Sequence, residues 1–466
     1  MDYDFLVLGG GSAGYAGART AAALGLKTAV VEGGSEVGGL CILRGCMPSK
    51  TLLESAKRFR TIQRAAEFGL ACDNPRFDTR AIVERKRRLI QEFADYRRSQ
   101  LEDGRFDFIR GHAEFISANE VLVDGSQRLS ARSFLVATGS RISFPPVPGL
   151  AEAGCLTSDD MLDLEKLPAS LIVLGAGAVG LELASYCRAF GCRVTVVQRN
   201  TQLLTGTDPD VAGELETALR ADGIDIHTGT SLVRVERNTV IFLKSGKEHC
   251  IEAEAVLNAL GRSPSLGVLG KSGVEIANGR IAVDDCQATS VPHIFAAGDV
   301  CGPLEVVHTA IQQGEAAASN AALLLGKRGG DPATVEHRLK LFAVFTEPQL
   351  AVVGASEAEL RAQGREFVAA SYPFNDHGKS MVMGEQHGFV KLIGCKTTGE
   401  ILGGAVVGPE ASDLIHEVVV AMHHRTTARE FASIPHYHPT LSEIWTYPAE
   451  EIAEAVSAME LPQSQS

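Results

Sequence analysis

The sequence predicts an α/β fold in which two βαβ units on parallel sheets precede a C-terminal α+β domain, and three observations carry that prediction. An apolar run from Tyr3 to Leu8 turns through Gly9–Gly14 into a helical stretch ending near Leu24, and a second apolar strand follows from Thr28 to Val31. The same order returns at Leu171–Leu174, through a second glycine-rich turn and a helix reaching Phe190, to a strand from Arg193 to Val197. From Leu341 onward, the short runs FAVF, LAVVG, FVKLIG and ILGGAVVG precede a helical pattern from Ser412 to His423.

Between the two units, Ser55–Arg110 is highly charged and helical in pattern, with ERKRRL near its middle, and reads as a solvated helical hairpin rather than a nucleic-acid arm. FLVATGS then leaves the first unit through the stiff connector PPVPG, and LNALGR repeats that pattern at the end of the second. These punctuation points divide the 466 residues into expected domains at 1–149, 150–265, 266–338 and 339–466, with MELPQSQS as a flexible tail.

The formal charge of −13 argues against nucleic acid, whose phosphates demand clustered Lys and Arg. No run approaches the roughly 20 apolar residues that cross a bilayer, and no basic segment precedes the first strand, so no membrane role and a cytoplasmic location are expected. Most of the ten cysteines are scattered singly, as in reduced proteins.

Gly9, Gly11 and Gly14 fit G-x-G-x-x-G directly after a strand, and Glu32 closes the next strand. Glycine permits close approach of a pyrophosphate to the helix N-terminus, where unpaired N–H groups favour an anion, and an acid at the second strand accepts from ribose hydroxyls. The first unit is therefore expected to hold a dinucleotide. Gly175, Gly177 and Gly180 repeat the fingerprint, but there the strand runs into Gln198, Arg199 and Asn200. A carboxylate would repel a 2′-phosphate, whereas Arg199 can pair with one, so NAD and NADP both remain open.

GGLCILRGCMPSK places Cys41 and Cys46 five positions apart, before a helix expected to begin near Pro48. Five helical residues rise about 7.5 Å, beyond the roughly 7 Å between Cα atoms that a disulfide tolerates. The segment must be distorted to close the bond, and a strained disulfide suits redox exchange. A structural pair or a metal site is the alternative, but no other close Cys or His pair supplies further ligands, so no metal is expected.

Together GGGSAG, GGLCILRGCMPSK, ATGS, GAGAVGLE, AAGD and HPTLSE resemble the pyridine nucleotide-disulfide oxidoreductases, from residue 2 to about 455. The resemblance implies a homodimer with two Rossmann-like domains for FAD and NAD(P) and an interface domain. It implies that Cys41 exchanges with the substrate disulfide, that Cys46 lies against the flavin, and that Lys50 and Glu182 pair near flavin N5. It implies flavin or nucleotide contacts for Thr138 and Gly139 of ATGS, for Gly261 of LNALGR, and for Asp299 on the ribityl chain. It also implies that His438, held by Glu443, is the base and reaches the thiols of the other subunit; an imidazole so held can shuttle a thiol proton near neutral pH. His436 is expected to pack or hydrogen-bond, Pro439 to open a helix, and Trp445 and Tyr447 to serve interface packing.

HPTLSE and the lack of cysteine after Cys395 bring the resemblance nearest to the dihydrolipoamide dehydrogenases. Leu40 and Leu43 depart from the family's usual Thr and Asn and place apolar groups beside the thiols. The expected activity is electron transfer between a dihydrolipoyl group on a carrier protein, or another small disulfide substrate, the Cys41–Cys46 pair, FAD and NAD(P). An NADPH-dependent reductase of another disulfide or of mercuric ion, and a lipoyl-carrier-binding flavoprotein subunit, are the alternatives.

Overall fold

A computed structural model describes residues 1–460. The chain forms two compact units: Met1–Thr51, Ala81–Ser143 and Gly261–Glu336 make the first, while Leu52–Arg80, Phe144–Leu260 and the segment from His337 onward make the second.

In the first unit, β1 (Tyr3–Leu8), α1 (Ser12–Ala23) and β2 (Thr28–Glu32) form the expected βαβ motif, with Phe5–Leu8 paired in parallel to Thr28–Val31. The sheet order is Asp107–Arg110, β2, β1, Gln127–Val136, Glu120–Val123, Ala113–Ser117, with Ile294–Ala296 also beside Gln127–Val136. Phe5 and Val7 enter one core and Leu6 and Leu8 the other, which is why the strand reads as an unbroken apolar run. Helix Val307–Leu324 crosses α1 closely: a Cβ on Gly314 would lie 2.2 Å from the Ala13 carbonyl oxygen.

The chain continues through α2 (Gly39–Leu43), α3 (Cys46–Gln63) and α4 (Thr79–Leu101). Helix α3 starts at Cys46, two residues before the expected Pro48, since proline is tolerated in a first helical turn. The end of the charged region is a strand rather than helix, because Ala29–Glu32 offer a parallel edge to Asp107–Arg110. Lys86 in ERKRRL is buried rather than solvated: it falls on the inward stripe Val83, Lys86, Ile90, Ala94, Leu101 of α4.

In the second unit, the parallel sheet order is Asp225–His227, Arg193–Val197, Ser170–Leu174, Ala255–Asn258, with helix Ala178–Ala189 as the crossover. The C-terminal sheet is antiparallel in the order Leu341–Val344, Gln349–Gly354, Ile401–Gly408, Phe389–Cys395, Phe367–Pro373. Phe367–Pro373 escaped the sequence reading because it is an edge strand with weak apolar alternation. Trp445 corrects another expectation: it is fully buried in its own chain and its indole donates to the Leu414 carbonyl at 3.2 Å, so it is core rather than interface anchor. From residue 461 the expected flexible tail lies outside the described residues. No helix among the described residues is long and apolar enough to cross a membrane.

Lys391, on the Phe389–Cys395 strand, is 2% exposed. Its Nζ lies 2.5 Å from Glu357, 2.8 Å from Asp210 and 3.2 Å from Asp208. Burial alone would lower its pKa, but hydrogen bonds to Asp210 and Glu357 and the charge of Asp208 leave it raised. Lys391→Met is expected to destabilise the fold by about 3 kcal/mol, because it strands a buried carboxylate. Urea unfolding monitored by tryptophan fluorescence checks this, Trp445 being the chain's single tryptophan.

Candidate active site

The first glycine turn is shaped to receive a dinucleotide. Gly9, Gly11, Glu32, Thr138 and Gly139 line one cavity of about 840 Å³ in the first unit, with Leu40 and Leu43 on its wall. Gly14 serves packing: a Cβ there would stand 1.8 Å from the Gly9 carbonyl oxygen. The Glu32 carboxylate does more than wait for ribose, since it accepts from Gly10 N at 2.7 Å and Gly34 N at 2.6 Å and so fixes the turn.

A second network, unread from sequence, ties distant segments of this unit together, and Ser140 within it lines the same cavity. Ser140 donates to the Asp299 carboxylate at 2.6 Å, and Arg262 donates to Ser140 Oγ and O, both at 2.8 Å. Arg280 grips the Asp299 carbonyl at 2.8 Å, and the fully buried Gln313 bridges Gly298 N and Gly302 O, both at 2.7 Å. Ser140, Arg262 and Asp299 belong to ATGS, LNALGR and AAGD, but those motifs give no sign that the three bind one another, and Arg280 and Gln313 lie outside them. Gly261, exposed at φ +106°, precedes Arg262 and accepts from Ser143 N at 3.0 Å.

Cys41 sits on α2 and Cys46 opens α3, so the helical path breaks between the thiols, as their spacing requires. Both are half-buried thiols outside any disulfide. A hydrogen bond between the two side chains, together with burial, pushes the Cys41 thiol well up, against a smaller opposing pull from Lys50. Lys50 lies one turn into α3.

The second glycine turn repeats the first. Here Gln198 occupies the place of Glu32, and its side-chain oxygen accepts from Ala176 N at 3.2 Å as Glu32 accepts from Gly10 N. A neutral amide thus holds the turn where the first unit uses an acid. Arg199 beside it is exposed. Of the glycines, Gly175 and Gly180 pack tightly, a Cβ on Gly180 standing 2.3 Å from the Gly175 carbonyl oxygen, whereas a Cβ on Gly177 would meet nothing within 4 Å. The packing of the chain itself does not require glycine at 177. Glu182, two residues beyond Gly180, is 3% exposed and accepts from Phe345 N at 3.0 Å.

At the C-terminal end, His438 Nδ1 lies 2.9 Å from Glu443 Oε2, and the imidazole side chain is 79% exposed. Pro439 opens no helix: it lies in the loop before a 3₁₀ turn at Ser442–Trp445, which swings Glu443 back onto His438. The other carboxylate oxygen lies 3.3 Å from Nε2 of His377, a fully buried residue whose Nδ1 meets Ser380 Oγ at 2.8 Å. Burial lowers the His377 pKa, with Glu443 opposing, so a neutral imidazole backs the dyad. The HPTLSE motif gave no sign of His377, which arrives from another segment. His436 pairs with Glu417 at 2.5 Å and with the Ile434 carbonyl at 2.8 Å.

A family model described as pyridine nucleotide-disulphide oxidoreductase matches residues 3–314, and its dimerisation domain matches residues 342–449. The chain belongs to the pyridine nucleotide-disulphide oxidoreductases. It is therefore an FAD-dependent disulfide oxidoreductase with FAD and NAD(P) as cofactors, and the dimerisation domain supports the expected homodimer. A dihydrolipoyl dehydrogenase of Bacillus subtilis is 33% identical over 95% of this chain and 96% of its own length. A mercuric reductase of Bacillus cereus is 35% identical over 90% of this chain but 67% of its own length. Among solved structures, LpdA from Mycobacterium tuberculosis matches with a TM-score of 0.85 at 28% identity, covering 96% of this chain and 99% of LpdA. The HOCl-induced flavoprotein disulfide reductase RclA from Escherichia coli matches with 0.83 at 26%, with the same coverages. The first cradle fits FAD: glycine backbone lies where a pyrophosphate must approach, and Glu32 where a ribose must be held.

Proposed function

We propose that this pyridine nucleotide-disulphide oxidoreductase is of the dihydrolipoyl dehydrogenase type, acting in the cytoplasm on a lipoyl-bearing carrier protein. In this reading FAD is held by 1–149 and 266–338, NAD(P) by 150–265, and dimerisation by 339–466. The observation that carries it is the hydrogen-bonded Cys41–Cys46 pair at a helix break, in a chain that also builds an imidazole–carboxylate pair near its C-terminus.

FAD, when bound, supplies the two-electron link between the pyridine nucleotide and the thiol pair. The chain's residues do the rest. A substrate thiolate attacks Cys41 Sγ of the oxidised pair, and Cys46 leaves as thiolate. The second substrate thiol then attacks the sulfur joined to Cys41, closing the substrate disulfide and releasing Cys41 as thiolate. Two protons leave the substrate, and His438 of a second copy takes them in turn, its Nδ1 held by Glu443 so that Nε2 is the working nitrogen. Lys50 and Glu182 would each supply charge to the bound flavin, and Asp299 would help to hold it.

A steady-state panel of dihydrolipoamide, oxidised glutathione and mercuric ion with both coenzymes tests this. Lipoamide-linked turnover is expected. None with either coenzyme overturns the reading, and turnover of glutathione or mercuric ion instead moves the chain to the reductases.

The coenzyme preferred is NADP. Gln198 brings no charge against a 2′-phosphate, and Arg199 stands exposed beside it. Arg199→Glu is expected to lower the NADPH-to-NADH ratio of kcat/KM by roughly tenfold or more, the value of one lost phosphate contact. An unchanged ratio removes Arg199 from this role.

A further inference from the structure

Two histidines flank Tyr437 in PHYHPTLSE, and the chain turns them in opposite directions. The His438 side chain is 79% exposed, whereas that of His436 is 6% exposed and packs beside the buried Phe431 ring, with 5.9 Å between centroids. Both nitrogens of His436 are engaged: Nδ1 lies 2.8 Å from the Ile434 carbonyl and Nε2 2.5 Å from Glu417 Oε1. A carbonyl and a carboxylate both accept, so satisfying them together takes an N–H on each ring nitrogen. Neither nitrogen is left to take a proton from a thiol, and His436 is not a second base.

The segment around it has little else to hold it. Among the described residues, 435–440 make no backbone–backbone hydrogen bond, and Ile434, Tyr437 and His438 are exposed. Pro435 and Pro439 stiffen the path but bring no N–H. Glu417 stands on a firmer element: helix Ala411–His423 is seated in the C-terminal core by Leu414, Ile415, Val418 and Met422. A charge-assisted hydrogen bond to that helix therefore fastens the loop two residues before the base.

We infer that His436 is a positioning residue, whose clasp with Glu417 and the Ile434 carbonyl holds the backbone that carries His438. Glu443 holds the His438 ring, and His436 holds the chain beneath it. This rests on the proposed role of His438 as base and adds what keeps that base in place. A displacement of about 1 Å in a reacting group costs on the order of a hundredfold, so the clasp acts on the rate through His438.

Asparagine and glutamine separate the two bonds, because the Asn amide nitrogen stands where Nδ1 stood and the Gln amide nitrogen where Nε2 stood. His436→Asn loses Glu417 and is expected to lower thiol-linked kcat roughly tenfold to a hundredfold, with flavin reduction by pyridine nucleotide unchanged. His436→Gln keeps Glu417 and is expected to stay within about threefold of wild type. In a His438→Ala background, His436→Asn is expected to cost less than about twofold, because the group it positions is gone. A general structural fault would cost the same in both backgrounds.

A second arm needs no turnover. Chymotrypsin cleaves after aromatic residues, and Tyr437 is 83% exposed in a loop that must open to enter a protease. Cleavage of the holoenzyme after Tyr437, read by peptide mass spectrometry, is expected to be at least about fivefold faster in His436→Asn than in wild type or His436→Gln. If His438→Ala keeps full turnover, the base reading fails, and Tyr437 cleavage still decides whether His436 holds the loop. Equal cleavage in wild type and His436→Asn, or an equal cost of His436→Asn in both backgrounds, overturns the inference.

Discussion

Cys46→Ser is expected to leave a folded flavoprotein whose thiol-linked turnover has fallen by at least about a thousandfold, the scale for loss of a covalent participant. The two thiols do different work, so the two serine variants should fail differently. With Cys41 intact, a linear disulfide such as oxidised glutathione can still be attacked, its leaving thiol departs and no second enzyme thiol remains to resolve the adduct, whereas a cyclic lipoyl disulfide closes again. Intact-mass measurement of Cys46→Ser should therefore find glutathione trapped on Cys41 as a mixed disulfide. Cys41→Ser should trap nothing. Because both thiols are half-buried and serine is close to cysteine in size, the hydroxyl replacement is expected to change stability by less than about 1 kcal/mol. Turnover above about 1% of wild type in Cys46→Ser would show that the pair is not the relay.

The thiol pair was legible because its evidence is local: spacing incompatible with a regular helix needs a break, and the break lies between Leu43 and Cys46. Both glycine turns were legible for the same reason, since strand, glycine spacing and helix lie within one short segment. What sequence hid was second use and distant use. Glu32 read as a ribose acceptor also fastens the turn, and only comparison with Gln198, doing the same job uncharged, separates the two roles. Trp445 followed a catalytic motif and read as an interface anchor, yet its environment is set by the Leu414 carbonyl and the C-terminal core. Lys86 sat in a run of charges that reads as solvated, although the 83, 86, 90 spacing placed it inward. His377 and Arg262 reach their partners only through tertiary folding, so no window of sequence contains their evidence.

His438→Ala should cost between about a hundredfold and ten-thousandfold in thiol-linked turnover, the usual range for a lost general base. Reduction of the bound flavin by pyridine nucleotide should be unchanged. The pH–rate profile should also lose the limb contributed by an imidazole, since the proton must then go to water. Glu443→Gln should cost less, roughly tenfold to a hundredfold, because the amide oxygen can still accept from His438 Nδ1 but no longer stabilises the imidazolium that forms. The neutral His377 behind Glu443 makes this contrast informative: its Nε2 lies 3.3 Å from the second carboxylate oxygen without forming a hydrogen bond, and burial keeps it from supplying a competing positive charge. The full charge of Glu443 is thus available to His438. If the two act as one unit, His438→Ala/Glu443→Gln will be no slower than His438→Ala alone. Multiplicative losses would mean instead that Glu443 serves the reaction by a route other than His438.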